Sequence, residues 1–139
     1  MKTLLAIATA SLAALSIASA AEYPDISIKE LKKAITDKKV IVIDVNGTAS
    51  FSKGHIPTAI DYTAKKDELG KLLESKDKDT LVVAYCGGPT CNAYKQGADK
   101  AKELGFKNVK HLSAGISGWM QAGEKTEKAK EKKETEKAS

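Results

Sequence analysis

Arginine is absent from this 139-residue chain, whose 23 basic residues are all lysines. Any anion it binds must be held by point charges or peptide dipoles, without a planar bidentate guanidinium. The formal charge is +5, with acidic and basic residues interspersed. That describes a solvated surface and argues against a nucleic-acid partner. Long apolar runs are scarce too. The one near the start, Leu4 to Ile17, is too short and too rich in Ala and Ser for a membrane span. Cysteine occurs only at 86 and 91. A ring that small cannot staple a fold, so the pair reads as chemistry rather than scaffold. Histidine occurs only at 55 and 111, and the four residues match no zinc-ligand spacing. No metal is expected.

What is present begins with Met1-Lys2, an apolar stretch and the small-x-small end Ala18-Ser19-Ala20. This is the pattern of a cleaved secretory signal over residues 1–20, which implies a periplasmic or secreted product with no membrane attachment after cleavage. Residues 21–123 then suffice for one small domain, and a monomer is expected. Residues 124–139 are rich in Lys and Glu with no apolar face, and read as a mobile tail.

Within the domain, Ser27 and Glu30 form a capping box that opens a helix through Leu31, Ala34 and Ile35. Val40 to Val45 is a continuous β-branched run, as in a strand buried on both faces. Asn46 to Gly54 reads as a polar loop, followed by His55-Ile56-Pro57 and a short extended piece, Ala59 to Asp61. A second helix is expected over about Lys65 to Glu74, with Leu69, Leu72 and Leu73 on its apolar side. Leu81 to Tyr85 is a second buried strand, and Asn92 to Leu104 a helix closed by Gly105. Val109 to Leu112 is another strand, and Gly115 to Trp119 enters a final short helix. Strands alternating with helices imply an α/β fold with a small, mostly parallel central sheet flanked by helices, and ligands beyond the strands' carboxyl ends.

One such end is Tyr85-Cys86-Gly87-Gly88-Pro89-Thr90-Cys91-Asn92. A strand that delivers a thiol to a helix N-terminus favours the thiolate through free amides and the helix dipole. Glycines at 87 and 88 let backbone N–H groups approach a ligand, and Pro89 stiffens the loop. The plainer alternative is a strand-to-helix turn that buries a cysteine.

Four segments in order resemble the rhodanese-like domain family. Val42-Ile43-Asp44-Val45-Asn46 is similar to its Asp-Val-Arg strand, and Gly54-His55-Ile56-Pro57-Thr58-Ala59 to its Gly-His-Ile-Pro-Gly-Ala signature. Tyr85-Cys86 and its loop resemble the active-site loop, and Gly105-Phe106 through Gly118-Trp119 the closing segment. The resemblance implies a three-layer rhodanese-like fold and sulfurtransferase chemistry through a cysteine persulfide. Cys86 would be the nucleophile. Backbone amides of residues 87–91, with Gly87, Gly88, Pro89, Thr90, Asn92 and Lys95 around them, would hold a small sulfur-containing anion. A low-molecular-weight thiol or a protein thiol would accept the sulfur, and the resemblance implies no metal and no organic cofactor. Asp44, His55 and Trp119 would be structural residues near the site, with Phe51 and Tyr62 candidates for the pocket wall, and His111 a satisfied polar residue.

The chain departs from the family twice. The loop arginine is replaced by Cys91, or by Ala93 if the loop is counted back from the helix, and Asn46 stands where arginine follows Asp-Val. The loop resembles a smaller Tyr-Cys-x-Gly-Pro-x-Cys set; Cys91 would either resolve or protect the Cys86 intermediate by disulfide formation or only fill space under the loop. Phosphatase relatives share the cysteine-headed cradle, but phosphoryl transfer needs a cation for three oxygens, which an arginine-free chain is badly equipped to supply. Three readings remain open: a sulfurtransferase or persulfide carrier, a thiol–disulfide redox protein using Cys86 and Cys91, and a non-catalytic binding module.

Overall fold

In a computed structural model that describes residues 23–130, the capping box starts the first helix where its spacing predicts. The Ser27 hydroxyl accepts from the Glu30 N–H at 3.2 Å and the Glu30 carboxylate from the Ser27 N–H at 3.1 Å. These two bonds satisfy free amides at the start of α1 (Ile28–Thr36). β1 (Val40–Asp44), β2 (Ile60–Asp61), β3 (Leu81–Tyr85) and β4 (Val109–His111) form one sheet in the order β2-β1-β3-β4, every pair parallel.

The alternation of side chains across a strand divides the core. Ile41, Ile43, Val45, Val82, Ala84 and Cys86 face α5 (Tyr94–Glu103), together with Leu69 and Leu73. Val42, Val83 and Tyr85 face α1 and α6 (Gly115–Gln121), packing on Leu31, Ile56 and Trp119. β1 and β3 are covered on both faces, which is what their unbroken apolar sequences anticipate. Gly105 closes α5 at φ +93, the left-handed C′ conformation.

Several segments differ from expectation. The polar loop after β1 contains a short helix, α2 (Thr48–Lys53), which buries no residue and so leaves no apolar periodicity to detect. The helix expected over 65–74 is two single turns, α3 (Tyr62–Lys65) and α4 (Leu69–Leu72). Asp61 caps α3 directly after β2, accepting from the Ala64 N–H at 3.2 Å. With one turn only, Leu69 and Leu73 reach the core while Leu72 stays 46 % exposed. α5 starts at Tyr94 rather than Asn92.

Packing also continues past the expected boundary at Gly123. The Trp119 indole donates to the Lys125 carbonyl at 2.9 Å. The backbones of His55 and Glu127 exchange two hydrogen bonds of 2.8 Å in an antiparallel bridge. Residues 124–127 are thus part of the domain, because a buried indole N–H and the buried His55 backbone need partners. The expected signal, residues 1–20, and the tail beyond Lys130 lie outside the described residues.

Candidate active site

β3 is the central delivery strand, and Cys86, 3 % exposed, is the first residue beyond it. Its side chain lies on the α5 face and is joined to Cys91 in a disulfide, with the Cα atoms 6.3 Å apart. The loop is held from below by α6. The Ile116 N–H donates to the Cys86 carbonyl and the Ser117 N–H to the Gly87 carbonyl, each at 3.0 Å. This contact explains Gly115. It sits at φ +61, and a Cβ there would lie 2.5 Å from Gly87 C and Gly88 N, so only glycine allows the two backbones so close.

Not every expected cradle amide is available. Pro89 has no N–H, and that of Cys91 is committed to the Gly88 carbonyl at 3.1 Å. The amides of Gly87, Gly88, Thr90 and Asn92 have no hydrogen-bond partner among the described residues. Ala93, at the N-cap of α5, offers no side-chain cap, so the positive end of the helix is unmasked toward the loop. Pro89, Thr90 and Asn92 are exposed, as is Lys95 on the first turn of α5, which forms no ion pair among the described residues. The loop thus presents unpaired amide dipoles beside a sulfur, with an exposed lysine on the first turn of the helix that follows.

Asp44 and Tyr85, opposite one another in the β1–β3 register, form a buried pair behind the loop. The Tyr85 hydroxyl donates to Asp44 at 2.5 Å and accepts from the Ile56 N–H at 3.0 Å, while the Asn46 N–H donates to the other Asp44 oxygen at 2.7 Å. Asp44 therefore keeps two hydrogen bonds although Asn46 replaces the family's arginine. Burial still holds the Asp44 carboxyl above its ordinary range, with the Tyr85 hydrogen bond opposing. Burial, and then the Asp44 charge, push the Tyr85 hydroxyl far up. Sequence reasoning placed Tyr85 only as the residue before the cysteine; the pairing needs the strand register to be seen.

His55 is buried. Its ring stacks on Phe51 with centroids 3.7 Å apart, and Nδ1 lies 2.8 Å from the Phe51 carbonyl oxygen. A carbonyl only accepts, so Nδ1 carries the proton. Phe51 is in this stack, and Tyr62, like Cys91, packs against the α5-side core that contains Cys86. Trp119 is buried on the face opposite Cys86, supporting α6 rather than touching the sulfur. His111 stacks on Tyr94 at 4.2 Å, and its buried Nδ1 has no partner among the described residues. The expectation of a satisfied polar residue fails there, because the ring is held flat against the tyrosine.

No cluster among the described residues has the makings of a metal site. No described helix is long and apolar enough to cross a membrane.

Against known proteins, the family model for the rhodanese-like domain matches residues 27–122. The chain is 31 % identical over 93 residues to a protein named dual specificity phosphatase Cdc25 from Arabidopsis thaliana, covering 60 % of this chain and 64 % of that one. It is 29 % identical over 100 residues to a tRNA uridine(34) hydroxylase from Buchnera aphidicola, covering 68 % of this chain and 31 % of the relative. The chain thus spans under two thirds of the first relative and about a third of the second. The 3-mercaptopyruvate sulfotransferase SseA of Escherichia coli, described as a rhodanese fold, superposes with a TM-score of 0.61 at 18 % identity, over 78 % of this chain and 51 % of its own.

Proposed function

The chain belongs to the rhodanese-like domain family, and from that premise we propose that it is an exported sulfurtransferase or persulfide carrier working through Cys86. The observation that carries this reading is the position of Cys86, at the end of β3, beside a loop whose amides at 87, 88, 90 and 92 are unspent. A sulfur anion placed there is stabilised by fixed dipoles that need no reorganisation. With thiosulfate as donor, the Cys86 thiolate attacks the outer sulfur. The sulfur–sulfur bond of thiosulfate breaks, sulfite leaves with the electron pair, and Cys86 carries a persulfide anion.

Cys91 then has a defined role. Its thiolate attacks the inner sulfur of the protonated persulfide, hydrosulfide leaves, and the Cys86–Cys91 disulfide forms. An external thiol restores the dithiol. A disulfide joins these residues; it has the connectivity this step would leave, and it equally favours a second reading, a thiol–disulfide redox protein on the same scaffold. Export is proposed on the pattern of residues 1–20 alone.

Intact mass measured on the reduced protein after thiosulfate or polysulfide separates the readings. The sulfurtransferase account expects a gain of one sulfur in Cys91→Ser, where the persulfide has no resolving thiol, and none in Cys86→Ser. Loss of two hydrogens in the wild type with no sulfur gained by Cys91→Ser supports the redox reading. An unchanged mass with both thiols reduced contradicts each of them.

A further inference from the structure

We infer that the cleft bounded by Asn46, Ser50, Lys53, Ile116, Met120 and Thr126 is the binding site for a small thiol bearing a carboxylate, the acceptor of the Cys86 sulfur. The inference rests on the sulfurtransferase reading and adds the place and charge of its acceptor. The cleft encloses about 240 Å³, enough for a molecule of amino-acid size and smaller than a drug-sized pocket.

Two of its walls are the residues that touch the catalytic loop. Ile116 donates its N–H to the Cys86 carbonyl. The Asn46 side-chain oxygen lies 3.8 Å from where a Cβ on Gly87 would stand. Asn46 follows the buried end of β1, and Ile116 lies in the first turn of α6, so the cleft runs along the rim of the loop.

Its chemistry is divided. Ile116 and Met120, four apart on α6, present one apolar strip, and Met120, 56 % exposed, is one of two large apolar side chains exposed among the described residues. Lys53, in the last turn of α2, supplies the cation and forms no ion pair among the described residues. No acidic residue lines the cleft. An apolar wall with one unspent ammonium suits a short aliphatic thiol with a carboxylate at its far end.

The fourth side comes from beyond the stretch that the family model matches. Thr126 contacts Gly54, where an added Cβ would come within 3.3 Å of the threonine hydroxyl. Thr126 lies beyond the residues the family model matches, on the segment anchored by the His55–Glu127 bridge. The Lys- and Glu-rich region thus closes the cleft.

In the step itself, the acceptor thiolate attacks the outer sulfur of the Cys86 persulfide. The bond between the two persulfide sulfurs breaks, Cys86 leaves as thiolate, and the acceptor departs as its own hydropersulfide, so atoms and charge balance. The test compares 3-mercaptopropionate, 2-mercaptoethanol and cysteamine as acceptors for the full chain and its Lys53→Gln variant. Because the three thiols differ in intrinsic reactivity, the readout is how each kcat/KM changes on substitution. The expected result is a fall in the 3-mercaptopropionate to 2-mercaptoethanol ratio of roughly threefold to fivefold, the range of a solvent-facing ion pair, with cysteamine moving the other way. An equal change for all three overturns the inference.

A second measurement does not depend on sulfur transfer. 3-(Methylthio)propionate, which cannot react, is titrated while backbone amide resonances are followed. Shifts at Asn46, Ser50 and Gly54 that weaken in Lys53→Gln support the site even if Cys86 forms no persulfide. Shifts elsewhere, or none, remove it even if Cys86 does.

Discussion

Replacing Tyr85 by Phe removes one oxygen that serves two partners. Its hydroxyl donates to the buried Asp44 carboxylate and accepts the Ile56 N–H, and the ring stands in a site with no solvent access. A hydrogen bond to a charged group contributes about 1.5–3 kcal/mol, and a buried N–H left without an acceptor costs about 1–3 kcal/mol. Since the two effects share one site and are not additive, a net loss of about 3–4 kcal/mol is expected at neutral pH. For a domain of this size that corresponds to a fall in Tm of roughly 15 °C.

The pH dependence has a definite sign. Asp44 is raised in the folded state, so its contribution to stability is present in acid, below its unfolded value of about 3.9, and is lost as pH rises through the folded value. In Tyr85→Phe the opposing hydrogen bond is gone and the folded value climbs further. The deficit against wild type should therefore shrink toward acid pH and widen toward neutrality. Urea melts of wild type, Tyr85→Phe and Asp44→Asn at a series of pH values read this directly. A Tyr85→Phe deficit below about 0.5 kcal/mol, or one equal at all pH values, would refute the reasoning, since a difference so small is typical of an ordinary surface site.

Other substitutions probe the loop and its supports. Gly115→Ala, forced into a left-handed φ at about 1–2 kcal/mol and against the Gly87 backbone, should displace the loop. Persulfide formation should slow at least roughly tenfold while circular dichroism stays native; an unaltered rate would show the close approach to be dispensable. His111→Phe keeps the stack on Tyr94 and removes the unpartnered nitrogen. Stability should hold or rise by about 1 kcal/mol, and a clear fall in Tm would mean that the nitrogen has a partner after all. Ending the chain at Gly123 rather than Lys130 deletes the Lys125 acceptor of the Trp119 indole and the bridge to His55. A loss of about 1–3 kcal/mol in thermal melts is expected, and coincident melts would contradict the docking of this segment.

What could be read from the residues alone follows from where the physics is local. β1 and β3 are unbroken β-branched and apolar runs, and a capping box needs only Ser27 and Glu30 three apart, so both were legible. The position of Cys86 just past β3 was legible because the apolar run ends on it and a Gly-Gly-Pro loop follows. α2 was hidden because it buries nothing, and the split of α3 from α4 because Leu72 shares the spacing but not the burial of Leu69 and Leu73. The Asp44–Tyr85 pair exists only once β1 and β3 are in register. The docking of residues 124–127 was concealed by their composition, since the contacts are made largely by backbone and not by an apolar face.

The central claim is that peptide dipoles alone, with no arginine in the chain, make Cys86 a thiolate able to take up sulfur. Its most direct measurement is the thiolate absorbance of reduced Cys91→Ser followed against pH, with Cys86→Ser/Cys91→Ser as blank. The account predicts a midpoint clearly on the acid side of an ordinary cysteine, about 8.5. A midpoint at or above that value, in a protein that remains folded, would contradict it.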